Sequence, residues 1–178
     1  MKMETELQEC DFLQYQLYTS SKMHSTKVKK TRDRIVFSSM FLIVGFFHYF
    51  SYDGAVYGLI TFSVLSIIIF ILDPIYFKIL YRNHFSKYIK ENYQDKIGKQ
   101  GSMEIENGCI VLKDDTSETK IIIEKLKEIV ELKTHYFIFI NNTGSIILPK
   151  NDDANKFINI LEKDFNVKLN KELDWKWK

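Results

Sequence analysis

The stretch KVKKTRDRIVFSSMFLIVGFF, residues 27–47, carries five cations in its first eight positions and no charged side chain after Arg34. Its apolar part extends over residues 35–50, and a second apolar run, AVYGLITFSVLSIIIFIL, covers residues 55–72. As helices that rise about 1.5 Å per residue, the two runs reach roughly 24 and 27 Å, slightly less than the roughly 30 Å hydrocarbon core of a bilayer. Length alone therefore does not decide between a membrane and a buried core.

The angular distribution of polar side chains around these helices decides between the two. Neither run has a polar face at the helical period, whereas a surface helix of a soluble domain has one. In a soluble protein both helices would have to be covered on every side, and the remaining chain is too polar and too short to cover them. The sequence therefore predicts a transmembrane hairpin of two helices, 35–50 and 55–72. A hairpin buried in a soluble domain is the alternative.

Positive charge is concentrated beside the two runs, although the whole chain has a net charge of only +2. Residues 22–34 contain six Lys or Arg against one acid, residues 73–99 contain six against three, and residues 51–54 contain no Lys or Arg. By the positive-inside rule both termini are cytoplasmic. Cations there would contact anionic lipid, and the indoles of the tail would lie at head-group depth. For the two tryptophans, a disordered tail or packing on the domain is the alternative. The expected membrane-interface residues are Lys27, Lys29, Lys30, Arg32, Arg34, Lys78, Arg82, Trp175 and Trp177.

Small residues should meet across the hairpin, because a four-residue loop makes the two helices antiparallel neighbours. Folding the chain about residue 52 brings Ser38 level with Ser66 and Gly45 level with Gly58. Helices in lipid associate through such small residues, since lipid offers no hydrophobic incentive for contact. These four residues are the predicted packing contacts.

The segments that flank the hairpin predict further helices. Residues 1–34 form a cytoplasmic N-terminal segment that ends in the basic run, and DFLQYQLYTSSK (11–22) favours a helix, with a short strand as the alternative. Residues 73–98 predict an amphipathic exit helix with an apolar stripe. The stripe consists of Phe77, Tyr81, Phe85 and Tyr88.

Residues 102–150 change to the alternating pattern of β-strands. In SMEIENGCIVLKD the pair Asn107-Gly108 separates two alternating runs, which indicates a tight hairpin that pairs Ile105 with Ile110 and Met103 with Leu112. Four further strands are predicted at 119–123, 128–133, 135–141 and 145–149. Short strands with short turns predict an antiparallel, strongly bent sheet.

A C-terminal helix closes this sheet in the predicted fold. NDDANKFINILEKDF has an apolar stripe, and Asp152 or Asp153 is the expected cap. The stripe consists of Phe157, Ile158, Leu161 and Phe165. Six strands closed by one helix are typical of a pleckstrin-homology-like (PH-like) domain, predicted over residues 99–168. Residues 169–178, ending in WKWK, remain as a Trp/Lys tail. The predicted fold class is therefore an α+β membrane protein: a two-helix transmembrane hairpin plus a cytoplasmic antiparallel β domain closed by a C-terminal helix.

The order of these parts resembles the YcxB-like family of bacterial two-span membrane proteins with a PH-like C-terminal domain. The residues that carry the resemblance lie within about 8–165: DFLQYQLYTSSK, the basic stretch KVKKTRDR, the hairpin, the exit segment YRNHFSKYIKENY, and IILPK followed by a helix with Phe157. The resemblance implies a bacterial cytoplasmic (inner) membrane location and no assigned activity or catalytic residue. The tail KELDWKWK departs from the family pattern.

No pattern of catalytic residues, metal ligands or cofactor-binding residues accompanies this architecture. The four histidines (His24, His48, His84 and His135) lie in different predicted elements without a nucleophile motif, and GxGxxG, P-loop and HExxH patterns are absent from the sequence. Cys10 and Cys109 have no partner motif and are read as free thiols. Nucleic acid is not an expected partner, because residues 100–178 carry twelve cations against fourteen acids.

The sequence leaves two functional hypotheses of different classes. The first is a non-enzymatic membrane protein in a scaffold or regulatory role, whose cytoplasmic PH-like domain binds a protein or lipid partner. The second is an immunity protein that neutralises a membrane-acting bacterial toxin. An enzyme with a site around His135 or His84 is a minor third option. No cofactor is expected under the first two.

Overall fold

The computed structural model describes residues 2–52, 56–114, 117–141 and 144–177. The predicted loop residues Asp53 and Gly54, the start of the second run at Ala55, the turn at Asn142 and Thr143, and the last tail residue, Lys178, lie outside these ranges. The described elements are β1 (Lys2–Glu6), α1 (Glu9–Lys22), α2 (His24–Ser51), α3 (Val56–Asn92), β2 (Gln100–Glu106), β3 (Cys109–Lys113), β4 (Glu118–Ile122), β5 (Leu126–Glu131), β6 (His135–Ile140), β7 (Gly144–Pro149), α4 (Asp152–Lys163) and β8 (Leu169–Lys171).

The chain divides into two compact units. The β unit consists of residues 2–16 and 85–176, and the hairpin unit consists of residues 17–84 with Trp177. Helices α1 and α3 each run from one unit into the other. The N-terminal residues predicted as part of a separate segment therefore belong, up to residue 16, to the unit that holds the sheets.

Both helices of the hairpin are longer than the apolar runs that predict them. Helix α2 begins at His24, so the basic stretch is its first part and not a separate segment. Helix α3 continues through Asp73 and Pro74 to Asn92, which makes the predicted exit helix the second half of α3. Helix propensity favours both extensions, because Lys and Arg, which are good helix formers, precede the first run and follow the second.

Arg34 compensates for Pro74 inside α3. Proline has no N–H, so the carbonyl of Phe70, one turn earlier, loses its helical donor. Arg34 Nε donates to Phe70 O at 2.9 Å, and the guanidinium carbon lies 3.7 Å from the centroid of the Phe70 ring. One side chain of α2 thus replaces the missing hydrogen bond and stacks on the ring beside it.

The hairpin exposes its apolar side chains. Helices α2 and α3 are long and apolar enough to cross a membrane, and only 6% and 11% of their most apolar windows are buried. The core helix of a soluble protein would be mostly buried. Exposed large residues occur along both helices, among them Ile43, Phe47 and Phe50 on α2 and Ile60 and Ile67 on α3.

The β unit contains two four-stranded sheets. Sheet A has the order β1-β2-β3-β4 and is antiparallel throughout, and sheet B has the order β7-β6-β5-β8. The predicted register of the first hairpin is confirmed: Ile105 pairs with Ile110, and Met103 pairs with Leu112. Asn107 and Gly108 both have positive φ, as a two-residue turn of this type requires.

The core of the β unit lies between the inner faces of the two sheets and helix α4. Phe157, Ile158 and Leu161 of α4 are buried there, which confirms three of the four predicted stripe residues. Phe165 is exposed, because α4 ends at Lys163. The helix cap is Asn151 and not an aspartate: Asn151 Oδ1 accepts from Ala154 N at 2.7 Å. Asn151 is one residue earlier and suits the role equally well.

Two strands were not predicted. The N-terminal strand β1 pairs with β2, where Met3 lies opposite Met103. The first residues of the predicted tail form β8, which pairs parallel with β5 at Ile129 and Leu169. Sheet B is therefore mixed, which corrects the prediction of a wholly antiparallel domain. The reason is that the chain crosses the sheet as α4 before it returns to β5.

Sheet B is covered on both faces, which explains the continuous apolar sequence HYFIFI of β6. Tyr136 and Ile138 point into the core. Phe137, on the other face, packs edge-on against Tyr15 of α1 with ring centroids 5.4 Å apart. Phe12 of α1 stacks on Tyr93, which follows α3, at 4.9 Å. The first half of α1 and the end of α3 thus belong to the β unit by packing.

Candidate functional site

A cavity with a volume of about 710 Å³ lies in the β unit. Its wall is built from the ends of β1, β2, β3 and β7, from β4, from α1 and from the turn between α3 and β2. This volume falls in the range of roughly 300 to 1,000 Å³ that is typical of small-molecule sites. Apolar side chains make up much of the wall: Leu7, Phe12, Met103, Leu112, Ile146 and Ile147.

Polar groups on the cavity wall come mostly from hydroxyls and from two tyrosines. Tyr15 and Ser145 are joined by a hydrogen bond of 2.8 Å between their hydroxyl oxygens. Burial raises the pKa of Tyr93, and the neighbouring Tyr88 and Tyr15 raise it further. The Tyr93 phenol is therefore neutral at physiological pH, so this part of the wall carries no charge.

Three lysines border the cavity, and one of them is paired. Lys113 Nζ donates to Glu104 Oε1 at 2.7 Å. This hydrogen bond lowers the pKa of Glu104 and raises the pKa of Lys113. Lys96 and Lys99 are exposed, and within the described ranges neither has a carboxylate oxygen within 4 Å. These two lysines can therefore bind an anion.

A second polar cluster joins α1 to the start of β6. His135 Nε2 lies 2.8 Å from Asp11 Oδ1, and both side chains are buried. Thr134 Oγ1 lies 2.8 Å from His135 Nδ1 and also accepts from Gln14 Nε2 at 3.1 Å. The order hydroxyl, imidazole, carboxylate is one that nucleophilic enzymes use. However, none of these residues lines the cavity. The arrangement fastens α1 to sheet B.

The basic residues expected at the membrane interface lie on helices. Lys27, Lys29 and Arg32 are exposed along the first turns of α2, and Lys78 and Arg82 are exposed on α3. Arg34, in contrast, is held against Phe70 within the hairpin. The cations of the interface set therefore comprise five solvent-exposed residues, the half-buried Lys30, and Arg34, which bonds within the hairpin.

The two tail tryptophans fall in different units. Trp175 belongs to the β unit, and its backbone N–H donates to Glu172 O at 3.0 Å. Trp177 belongs to the hairpin unit, where its ring lies 5.5 Å from the Tyr81 ring and 5.9 Å from Lys30 Nζ. Trp177 Nε1 is buried and has no hydrogen-bond partner among the described residues.

The serines of the predicted packing set contact each other across the hairpin. Their hydroxyl oxygens are 2.8 Å apart; Ser38 Oγ also donates to Ser66 O at 3.0 Å, and Ser66 Oγ donates to Ser38 O at 2.8 Å. The two helices therefore approach closely at this level, near the start of the first apolar run.

The two glycines of the set do not face each other. A Cβ placed on Gly45 would lie 2.9 Å from Phe62 Cβ, and one on Gly58 would lie 2.2 Å from His48 Nδ1. Each glycine thus accommodates a larger side chain of the opposite helix. For the two glycines, the contacts therefore differ from the level pairing predicted by counting from the loop. The reason is that a larger side chain of the opposite helix occupies the space beside each glycine.

Within the part of the chain that the structure describes, no group of three or more His, Cys, Asp or Glu side chains could hold a metal ion. The cavity of the β unit, in contrast, has both a volume in the range of small-molecule sites and polar groups that can bind a ligand. Sequence reasoning missed it, because its wall is assembled from seven elements and most of its residues are unremarkable hydroxyls, aliphatics and glycines.

These features define a class: an α+β protein with two helices that could cross a membrane and a unit of two sheets that encloses a cavity. Comparison with known families agrees with this class. The model of the YcxB-like protein family matches residues 106–161, which span β3 to β7 and most of α4. The predicted resemblance to the YcxB-like family is confirmed over these residues. Searches of curated proteins and of solved structures found no match.

Proposed function

We propose that this chain is a non-enzymatic protein of the bacterial inner membrane, with both termini in the cytoplasm, whose PH-like β unit binds a protein or lipid partner. In this proposal the hairpin is the membrane anchor and the β unit is the binding module. The role is that of a scaffold or regulator. The observation that carries the binding role is the cavity of about 710 Å³ in the β unit.

Membrane insertion is supported by the hairpin's own surface. Its exposed apolar side chains would have to be hydrated in water, at a cost of about 25 cal/mol for each Å². In lipid the same surface costs nothing, and helices satisfy their backbone hydrogen bonds internally. The exposed cations Lys27, Lys29, Arg32, Lys78 and Arg82 lie at the ends of the hairpin that the positive-inside rule assigns to the cytoplasm.

A PH-like identity for the β unit is supported by the order of its elements. Six strands, β2 to β7, follow one another with short connections in two sheets, and α4 then packs on the core. Strands β1 and β8 extend the two sheets at their edges. The unit buries a contiguous core, so the proposed binding module is a packed structure that can hold a preformed site.

The membrane part of the proposal is tested by topology. Single cysteines at residue 4, which is exposed on β1, and in the 51–54 loop, in a chain whose Cys10 and Cys109 are replaced by Ser, are treated with a membrane-impermeant maleimide on intact cells. We expect labelling of the loop cysteine only. Labelling of the N-terminal cysteine in intact cells, or recovery of the protein in the soluble fraction without detergent, would contradict the anchor.

The binding part is tested by filling the cavity. Thr119 and Ile121 share one face of β4, and Ile121 packs against the core, so Thr119 points inward at the cavity wall. The neighbouring Lys120 points to the opposite face of sheet A. We therefore compare Thr119→Trp with Lys120→Trp as a matched control.

Wild type and both variants are purified from membranes in mild detergent, and the co-purifying proteins and lipids are identified. We expect Thr119→Trp to lose a partner that wild type and Lys120→Trp both retain. If all three retain the same molecules, the cavity is not the binding site and the proposal is wrong.

A further inference from the structure

Gly101, the second residue of β2, lines the cavity, and the backbone conformation there does not require a glycine. Its φ is not in the positive range that favours glycine. A Cβ at this position would lie 3.4 Å from Lys113 O and 3.8 Å from Thr5 O, which are ordinary contact distances. A larger residue would therefore fit the strand. Glycine inside a strand is otherwise unfavourable, and it often marks a place where a ligand approaches the backbone closely.

The register of sheet A shows what the missing side chain does. On the inner face, one row runs across the sheet through Met3, Met103, Leu112 and Thr119. In the next row outward Thr5 pairs with Gly101. Because residues of one strand two apart share a face, a side chain at 101 would stand next to Met103 and enter the cavity. Because Gly101 has no side chain, it leaves an empty space in the cavity beside the apolar residues of this face.

Among the charged side chains at the cavity edge, those without a hydrogen-bonded partner in the described residues are mostly cations. Asp114 lines the cavity but accepts hydrogen bonds from Ser117 N at 2.6 Å and Ser117 Oγ at 3.0 Å. Lys113 is engaged by Glu104. Two cations, Lys96 and Lys99, then stand against one carboxylate, Asp95.

The backbone that carries the two lysines is also held in place. They lie in the turn after α3, where Lys96 N donates to Tyr93 O at 2.9 Å and Gly98 N donates to Leu7 O at 2.9 Å. Gly98 has a φ of +72°, which this turn requires. The turn is thereby tied to the chain just after β1, at the cavity wall, so the cations need no large rearrangement to meet a ligand.

We infer that the cavity binds one single-chain anionic lipid, with its acyl chain over Gly101 and its carboxylate or phosphate head at Lys96 and Lys99. An apolar hollow with unpaired cations at its edge complements a molecule that has an apolar body and an anionic end. The inference rests on the proposed function and specifies its partner. A neutral chain would leave the lysines without a counter-ion, and a free anion would leave the apolar wall unfilled.

The experiment uses the full-length protein in nanodiscs of uncharged phosphatidylcholine. Two photoreactive diazirine probes are compared, a palmitate analogue and a lysophosphatidylglycerol analogue, together with the corresponding fatty alcohol as the neutral control. Labelled residues are mapped by mass spectrometry. We expect the palmitate probe or the lysophosphatidylglycerol probe to label the strands around Gly101. The probe that gives the stronger labelling identifies the head group.

Two variants separate the contributions of the hollow and of the charge. Gly101→Val should reduce labelling of the β unit by about 10-fold or more, since added methyl groups in an apolar pocket have effects of about 10- to 200-fold. Its melting temperature should stay the same or rise, because valine suits a strand better than glycine. Thr119→Trp serves as the second filling variant if Gly101→Val does not fold.

Lys96→Glu/Lys99→Glu should abolish the preference for the anionic probes over the alcohol. Lys125→Glu/Lys127→Glu, the same charge change at exposed positions that do not line the cavity, should keep it. The inference is overturned if folded Gly101→Val labels like wild type, or if the alcohol labels as well as the anionic probes do. If lipid labelling fails while Thr119→Trp still loses a captured protein, the inference fails and the proposed function stands. If both fail, the proposed function is wrong as well.

Discussion

The hairpin unit and the β unit place the same kinds of side chain in opposite surroundings. Ile43 and Phe47 of α2 are 67% and 74% exposed, whereas Ile129 of β5 and Phe157 of α4 are each 0% exposed. The β unit closes its own core from two sheets and a helix, and the hairpin leaves its apolar surface outside. The difference supports the proposed membrane anchor, because a non-aqueous environment would make the exposed apolar surface of the hairpin inexpensive.

Glycine differs between the units in the same way. In the hairpin, Gly58 is needed because the His48 ring occupies the space of its absent side chain. In the β unit, a Cβ at Gly101 would meet Lys113 O and Thr5 O only at ordinary contact distances, so no described atom excludes it. The first glycine brings two helices together, and the second leaves volume for something else.

The largest expected contrast comes from removing one phenylalanine ring in each unit. Phe157→Ala should lower the free energy of unfolding of the β unit by about 3–5 kcal/mol, because it leaves a cavity in a packed core. Phe47→Ala should change stability by less than about 0.5 kcal/mol, as substitutions at exposed positions do. Urea unfolding in detergent micelles, followed by circular dichroism, measures both. A loss of several kcal/mol for Phe47→Ala would mean that its ring is buried in a core after all.

The next effect concerns the close contact at Gly58. A methyl group there would collide with the ring of His48, so Gly58→Ala should destabilise the hairpin by about 1–3 kcal/mol. His48→Ala removes the ring and should restore the stability of the double variant. Helicity during unfolding in mixed micelles with sodium dodecyl sulfate measures the effect. Ile43→Ala, on an exposed face, is the control; equal loss in the control, or no rescue, would contradict the contact.

The serine pair should have a smaller effect. Ser38→Ala and Ser66→Ala each remove hydrogen bonds that join the helices. Such bonds between membrane helices contribute about 0.6 kcal/mol on average and at most about 1.7 kcal/mol. A double-mutant cycle in the same micelle assay should give a coupling energy of this size. A coupling energy of zero would indicate that the two hydroxyls do not bond to each other, and no loss of stability in either single variant would contradict the hydrogen bonds across the hairpin.

Much of this architecture is readable from the sequence where one local pattern suffices. The turn pair Asn107-Gly108 specifies the register of β2 and β3, because a two-residue loop allows only one pairing. The apolar runs specify two long helices, since they lack a polar face. The apolar stripe of α4 specifies which side of that helix meets the core.

The rest depends on contacts between distant parts of the chain. Strand β1 offers one buried side chain, Met3, which is too little for a period of two to be recognised. Strand β8 is three residues long, and it forms because the chain returns beside β5. Pro74 indicates a helix break by itself, and only the guanidinium of Arg34 explains why α3 continues through it.

The candidate site was the least predictable part. Asp11 and His135 are 124 positions apart, and their hydrogen bond follows from the packing of α1 on sheet B. Gly101 has no turn signal beside it, and its role follows from its neighbours Thr5 and Met103 in the folded sheet. A sequence pattern identifies residues that act through spacing, and it does not identify a volume that residues leave empty.

The smallest effect concerns the exposed ion pair of Glu104 and Lys113 in the β unit. The hydrogen bond from Lys113 lowers the pKa of Glu104, so the folded state favours the ionised carboxylate. The stabilisation is therefore complete above the ordinary pKa of Glu, about 4.5, and is lost as the pH falls through the lower pKa of the folded state. Glu104→Gln should be slightly less stable than wild type at pH 7, and the difference should shrink as the pH falls below the ordinary pKa of Glu. Because the pair is solvent-exposed, 0.5 M salt should also reduce this difference. Chemical unfolding of the β unit at several pH values tests this, with the exposed Glu124→Gln as control. A difference that stays constant as the pH falls and in salt would mean that Glu104 acts through packing and not through its charge.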